Sequence, residues 1–218
     1  MEWKDKLNLL ICIAADLQAI HSQKLIHRDL HSGNILQDSL NSAYIADLGL
    51  LISVKMASKM VLEKQICGIL PYIAPEILEG SQYTTESDIY SFGIIIWEIF
   101  YGVPVFVDQD FGPQFQLQIV NGLRPTILEG TPECSANLIA RCWDKKPQNR
   151  PSAKEIHETF INWKNDERNL VELSKIKIIN LAHIQAYSEE NYRSRFSHTV
   201  SYYQGNQYKP YFDKISSY

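Results

Sequence analysis

The sequence predicts a mainly α-helical domain carrying one short β-hairpin, and three observations lead there. Apolar residues recur at alternating spacings of four and three from Trp3 through Leu7, Leu10, Ala14 and Leu17 to His21. Thr85 to Tyr101 is apolar on nearly every face from Ile89 onward, and two short apolar-polar mixtures flank a turn-forming stretch from Gln37 to Ser42. The first is the period of a helix with one buried stripe, the second marks a helix buried all round, and the third fits two strands around a turn. At 218 residues, with 45% apolar and 11% aromatic side chains, the chain can build one substantial core.

In chain order, Met1 to Ser22 reads as the first helix. Leu25 to Leu36 and Ala43 to Leu51 are expected to pair as the hairpin, with Gln37-Asp38-Ser39-Leu40-Asn41-Ser42 between them. Leu51 to Gly68 has no convincing period and carries Lys55, Ser58, Lys59, Glu63 and Lys64, the mark of a long exposed loop. Such loops usually have a job. The helix from Thr85 stops at Gly102, which suits a left-handed C-terminal cap, and is the expected axis of the fold. Pro113 to Asn121 reads as a short helix, and Thr131-Pro132-Glu133 starts another with Pro at the first helical position. Ser152-Ala153-Lys154-Glu155 is a capping box opening an amphipathic helix to about Lys164.

Leu170 to Ile184 is a further helical candidate. From Tyr187 to Tyr218 the only aliphatic core formers are Val200 and Ile215, against seven tyrosines, so this stretch is expected to be loose. Its tyrosines read as a sticky spacer rather than as docking sites.

A net charge of −4 and a pI near 5.9 remove the field on which non-specific nucleic-acid binding relies, so no nucleic acid is expected as partner. Cys12, Cys67, Cys134 and Cys142 form no CxxC pair and read as thiols in a reducing compartment. The apolar run Leu9 to Ala15 follows Lys4 and Lys6 but is short and stops at Asp16, unlike a secretion signal. Phe92 to Trp97, the longest apolar stretch elsewhere, is far below the ~18 residues of a membrane span. No membrane partner is expected, and the cytoplasm is the default location.

The chemistry lies in His27-Arg28-Asp29-Leu30-His31-Ser32-Gly33-Asn34 and Asp47-Leu48-Gly49. The first places a carboxylate five residues before a carboxamide, and the second adds a carboxylate at the far end of the hairpin. One base and two oxygen ligands then converge, which suits Mg²⁺ held between a few protein oxygens and substrate phosphates.

On these residues the sequence resembles the protein kinase family. His27-Arg28-Asp29 with Asn34 is similar to the catalytic loop, Asp47-Leu48-Gly49 to the metal-binding triplet, and Ala74-Pro75-Glu76 to the end of the activation segment. Asp88-Ile89-Tyr90-Ser91-Phe92-Gly93 resembles the start of the family's central helix, and Cys142-Trp143 with Arg150-Pro151 its late signature. The resemblance covers about residues 3 to 164 and implies a kinase-like C-lobe over 1–165, followed by a tail over 166–218.

It also implies ATP and Mg²⁺ as cofactors, with Asp29 orienting the acceptor hydroxyl, Asn34 and Asp47 on the metal, and Leu36 on the floor of the nucleotide site. Glu76 and Arg150 would form a structural ion pair, Asp88 would brace the catalytic loop, and His27 would support it. Arg28 would couple to the activation loop, where Ser53 or Ser58 is a candidate phosphorylation site for an upstream kinase.

Leu48 replaces the family's usual Phe and leaves Asp47 intact. His31 stands where Ser/Thr kinases usually carry Lys, and Ile69 where they usually carry Thr. Gly68-Ile69-Leu70-Pro71-Tyr72 with His31-Ser32-Gly33-Asn34 most resembles the tyrosine-kinase-like group, which implies Ser/Thr rather than Tyr acceptors on a protein substrate. The 218 residues contain no Gly-x-Gly-x-x-Gly phosphate cover, no V-A-I-K lysine and no partner glutamate. The family's small lobe is therefore not encoded here. The chain alone should bind ATP weakly and expose apolar surface that otherwise meets that lobe. The alternatives are a non-catalytic docking or scaffold module, and a lobe completed by a small-lobe-containing partner.

Overall fold

The computed structural model describes residues 1–39, 41–57, 65–177, 179 and 195–198. The first helix, α1 (Trp3–Ser22), starts where the Asp5 carboxylate accepts the N–H of Glu2 at 3.3 Å. It buries Leu7, Leu10, Ala14 and Leu17 as the spacing predicts, and also Lys6, Leu9 and Ile13. The stripe is wider because α1 is wedged between elements: it packs against α7 (Ala153–Asn165) on one side and the hairpin on another.

The described strands form three antiparallel pairs. β1 (Leu25–Ile26) pairs with β4 (Ile52–Ser53) in the register Leu25↔Ser53 and Ile26↔Ile52. The hairpin itself is β2 (Ile35–Ser39) and β3 (Ser42–Ile45), aligned Ile35↔Ile45 and Leu36↔Tyr44. It is thus shorter than expected, and Leu25–Ile26 belongs to another pair. A two-residue strand carries no legible period, so its partner is settled by packing.

In the expected exposed loop from Leu51 to Gly68, the described residues 52–57 and 65–68 form regular elements. After β4 comes the single turn α2 (Val54–Ala57), capped by the Ser53 hydroxyl, which accepts the N–H of Met56 at 3.1 Å. β5 (Gln65–Gly68) then pairs with β6 (Arg195–His198). Residues 58–64, with Ser58, lie outside the described residues. β6 falls within the stretch expected to be loose, the rest of which, 187–194 and 199–218, is also outside them.

Beyond α3 (Pro75–Leu78), α4 (Thr85–Tyr101) opens with a Thr84–Ser87 capping box and ends at Gly102 with φ 75°. Every residue from Ser87 to Tyr101 except Ile99 is buried, so α4 is the axis of the core. Gly93 lets α6 (Glu133–Cys142) approach it, since a Cβ there would stand 2.7 Å from the Cβ of Cys142. α5 (Pro113–Val120) ends as expected. Pro132 occupies the N-cap of α6, one residue earlier than predicted.

Ser152 and Glu155 cap α7 reciprocally, the Glu155 N–H donating to Ser152 Oγ at 3.2 Å and the Ser152 N–H to Glu155 Oε2 at 2.7 Å. α8 (Glu167–Ser174) starts earlier than predicted and stops at Ser174, because Asp166 accepts the N–H of Arg168 at 2.9 Å and restarts the helix. Leu173 and Ile176 join the core. No helix among the described residues is long and apolar enough to cross a membrane.

Candidate active site

After β1 the chain makes a tight turn in which Arg28 takes φ 74°. Left-handed backbone costs a non-glycine residue about 1–2 kcal/mol, so neighbours must hold it. Asp88, in the first turn of α4 and 1% exposed, does so. Its Oδ2 accepts the N–H of His27 at 2.8 Å and Nε2–H of His21 at 2.9 Å, and its Oδ1 accepts the N–H of Arg28 at 3.0 Å. Its carboxylate at a helix N-terminus is favoured by the α4 dipole as well.

The turn delivers Asp29, 6% exposed, to a crowded position. Asn34 Nδ2 donates to the Asp29 carbonyl at 2.8 Å, and His31 Nε2 lies 3.8 Å from Asp29 Oδ1. Burial pushes the His31 pKa down, while the charges of Asp29 and Asp47 pull it up. On the far side the backbone of β5 presses in. A Cβ at Gly68, where φ is 136°, would lie 3.4 Å from Asp29 Oδ1. Glycine meets both demands there.

Asn34 and Asp47 flank the same end of the hairpin, Asn34 just before β2 and Asp47 two residues after β3. With Ile35 opposite Ile45, the N–H of Ala46 donates to the carbonyl of Asn34 at 2.8 Å, and His27 Nε2–H donates to the carbonyl of Ala46 at 3.2 Å. Asn34 uses its Nδ2 on the Asp29 carbonyl, so its Oδ1 is the atom that could face a metal. Asp47 is exposed, at φ 54°, and its Oδ1 accepts only a long 3.3 Å bond from the N–H of Gly49 among the described residues. Two oxygen donors, one of them charged, could hold Mg²⁺, which binds through few protein ligands and fills its shell with water and phosphate oxygens. No cluster of three His, Cys, Asp or Glu side chains that could hold a metal occurs among the described residues.

Leu36 is 45% exposed on the hairpin beside its cross-strand neighbour Tyr44 at 46%, and Leu48 is 51% exposed. These make an open apolar rim next to the Asn34–Asp47 end. Arg28 stacks over Tyr83 at 4.9 Å, and its buried Nε has no hydrogen-bond partner among the described residues. Ser53 lies in β4, opposite Leu25 of β1.

Glu76 and Arg150 are brought together as a fork-on-fork pair at 2.6 and 2.8 Å. Arg150 also donates from Nη1 to the carbonyl of Glu86 at 2.9 Å and from Nε to that of Asp144 at 3.0 Å, so its buried charge is well satisfied.

Sequence reasoning missed Glu98. Its Oε1 accepts the Tyr72 hydroxyl at 2.7 Å and the N–H of Val105 at 2.9 Å, and the Ser32 hydroxyl, 2.9 Å away, continues the chain onto Tyr72. This relay ties the catalytic-loop candidate to the segment before Ala74 and to α4. Burial raises the Glu98 pKa to about 7 against these bonds. The available signal was a lone carboxylate in the apolar run from Ile89 to Tyr101.

The family model described as protein tyrosine and serine/threonine kinase matches residues 1–160. A putative serine/threonine-protein kinase/receptor of Acanthamoeba polyphaga mimivirus is 33% identical over 157 residues, 71% of this chain and 9% of its own length. The probable serine/threonine-protein kinase roco5 of Dictyostelium discoideum is 34% identical over 171 residues, 73% of the chain and 6% of its length. A probable LIM domain-containing serine/threonine-protein kinase of the same organism is 34% identical over 155 residues, 71% of the chain and 23% of its length. The chain thus spans under a quarter of the length of these three relatives.

Proposed function

The chain belongs to the protein kinase family, and from that premise we propose that it is the C-lobe of an enzyme that transfers the γ-phosphoryl group of ATP to Ser/Thr hydroxyls of a protein substrate in cytoplasmic signalling. The observation that supports this reading is the Ala46–Asn34 backbone hydrogen bond, which pairs Asn34 with the residue before Asp47, while the Asn34 side chain donates to the carbonyl of Asp29.

In that role Asp29 orients the acceptor hydroxyl and takes its proton, as the new P–O bond forms and the bond to ADP breaks. Asn34 and Asp47 hold Mg²⁺, which neutralises phosphate charge when bound. Leu36 offers apolar contact to adenine. Asp88 and His27 position the loop, and Glu76 with Arg150 hold the segment that follows it. A phosphate placed on Ser53 or Ser58 by an upstream kinase would give the buried Arg28 Nε an anionic partner. The Ser/Thr preference rests on the names of the relatives and on the residues around His31 and Ile69.

The exposed Leu36, Tyr44 and Leu48 favour a second reading, a docking module or a lobe completed by a small-lobe-bearing partner. One experiment separates them. The native polypeptide carrying this chain is isolated from its source cell, weighed, and assayed with Mg·ATP and a Ser/Thr protein substrate. We expect a mass above 25.1 kDa and transfer that falls about 100-fold or more in Asp29→Asn and Asp47→Asn. A 25.1 kDa product without transfer selects the docking reading.

A further inference from the structure

β5 runs directly into the site. It ends at Gly68, where a Cβ would lie 3.4 Å from Asp29 Oδ1, and among the described residues its ladder partner is β6, from the tail. The register is antiparallel: Gly68↔Arg195, Cys67↔Phe196, Ile66↔Ser197 and Gln65↔His198. The tail backbone at Arg195 therefore lies one strand spacing, about 4.8 Å, from Gly68.

An open strand edge binds any extended peptide through its unpaired N–H and C=O groups. A phosphoacceptor segment that approaches Asp29 along this edge must take the place β6 now holds. We propose that residues 195–198 are an intramolecular occupant of the peptide-binding edge of β5, so that the chain competes with its own protein substrate for access to Asp29. The substrate half of this statement rests on the kinase reading; the occupancy of the edge by the tail does not.

The pairing is built to be displaced. A two-stranded pair of four residues is marginal by itself. The tail from Tyr187 has almost no aliphatic residues with which to anchor it. Ile176 lies in the core and the Ile179 N–H donates to the Tyr101 carbonyl at 3.1 Å, so 15 residues, 180–194, connect that anchor to Arg195. Because it belongs to the same chain, the strand meets this edge at an effective concentration on the order of millimolar. That suffices to keep a weak pair formed, and a tighter external peptide can still displace it.

The test uses the full 218-residue chain and a proline pair, Phe196→Pro with Ser197→Pro. Successive N–H groups of a strand point to opposite sides, so one of the two removes a ladder bond whatever the phase. Amide hydrogen exchange at residues 65–68 is expected to speed up about tenfold or more. A labelled synthetic peptide of residues 192–200 is expected to bind this variant at least about tenfold more tightly than the unmodified chain. A second variant with glycine at all four positions 195–198 weakens the strand without removing a donor and should move both readings the same way. Unchanged exchange in both variants, or equal peptide affinity for variant and unmodified chain, overturns the proposal. Neither reading needs phosphoryl transfer, so an inactive enzyme would sink the kinase reading and leave this one standing.

Discussion

Asp88 shows how one side chain makes a strained turn affordable. Its carboxylate accepts three N–H groups around Arg28, and the α4 N-terminus stabilises its charge. Asp88→Asn puts a donor where a donor already points, and urea unfolding should show a loss of about 1–3 kcal/mol. Arg150→Met leaves Glu76 without its guanidinium and should cost about 3–5 kcal/mol; adding Glu76→Leu should restore most of it, because the desolvated charge then disappears from both sides. Glu98 gives a pH signature. Folded, it keeps its proton to about pH 7, against an ordinary value of 4.5. The folded state therefore binds more protons between those values. The contribution is fully present below about pH 4.5 and is lost as pH rises through 7. Glu98→Gln should flatten the stability profile across that window, by about 3 kcal/mol at most, as followed by urea midpoints.

At the scale of elements, the contact between α4 and α6 depends on one missing methyl group. Alanine at Gly93 would gain about 1 kcal/mol of helix propensity, yet its Cβ would meet the Cys142 Cβ at 2.7 Å. That atom is anchored to the α6 backbone and cannot swing away, so overpacking wins. Gly93→Ala should destabilise by about 1–3 kcal/mol in thermal or urea unfolding. The helices were legible because each long one repeats its apolar residues at its own period and carries its own caps, as at Thr84, Gly102 and Ser152. β1, β4 and β5 were not, since two to four residues have no period and their partners lie far along the chain.

Across the whole molecule, the apolar rim of Leu36, Tyr44 and Leu48 stands open beside the Asn34–Asp47 end. A patch of this kind drives association when nothing covers it. Leu36→Ser with Tyr44→Ser should raise the concentration at which the chain self-associates in sedimentation velocity. Unfolding free energy should stay within about 0.5 kcal/mol, because both sites are exposed.

The residue motifs around Asp29, Asn34, Asp47, Glu76, Asp88 and Arg150 were readable in one dimension because they resemble motifs of the protein kinase family, which the chain belongs to, in type, order and spacing. The mainly helical class was readable because periodicity is a local property. What only the tertiary structure decided is which groups share a dielectric and which strand edges are filled. His31 against Asp29, Glu98 under Tyr72, Gly68 against the carboxylate and β6 along β5 join residues remote in sequence or set side by side only by the turn they occupy. Burial, pKa and edge pairing are set by whatever packs against a residue, and no pattern along the chain encodes that neighbour until the core has formed.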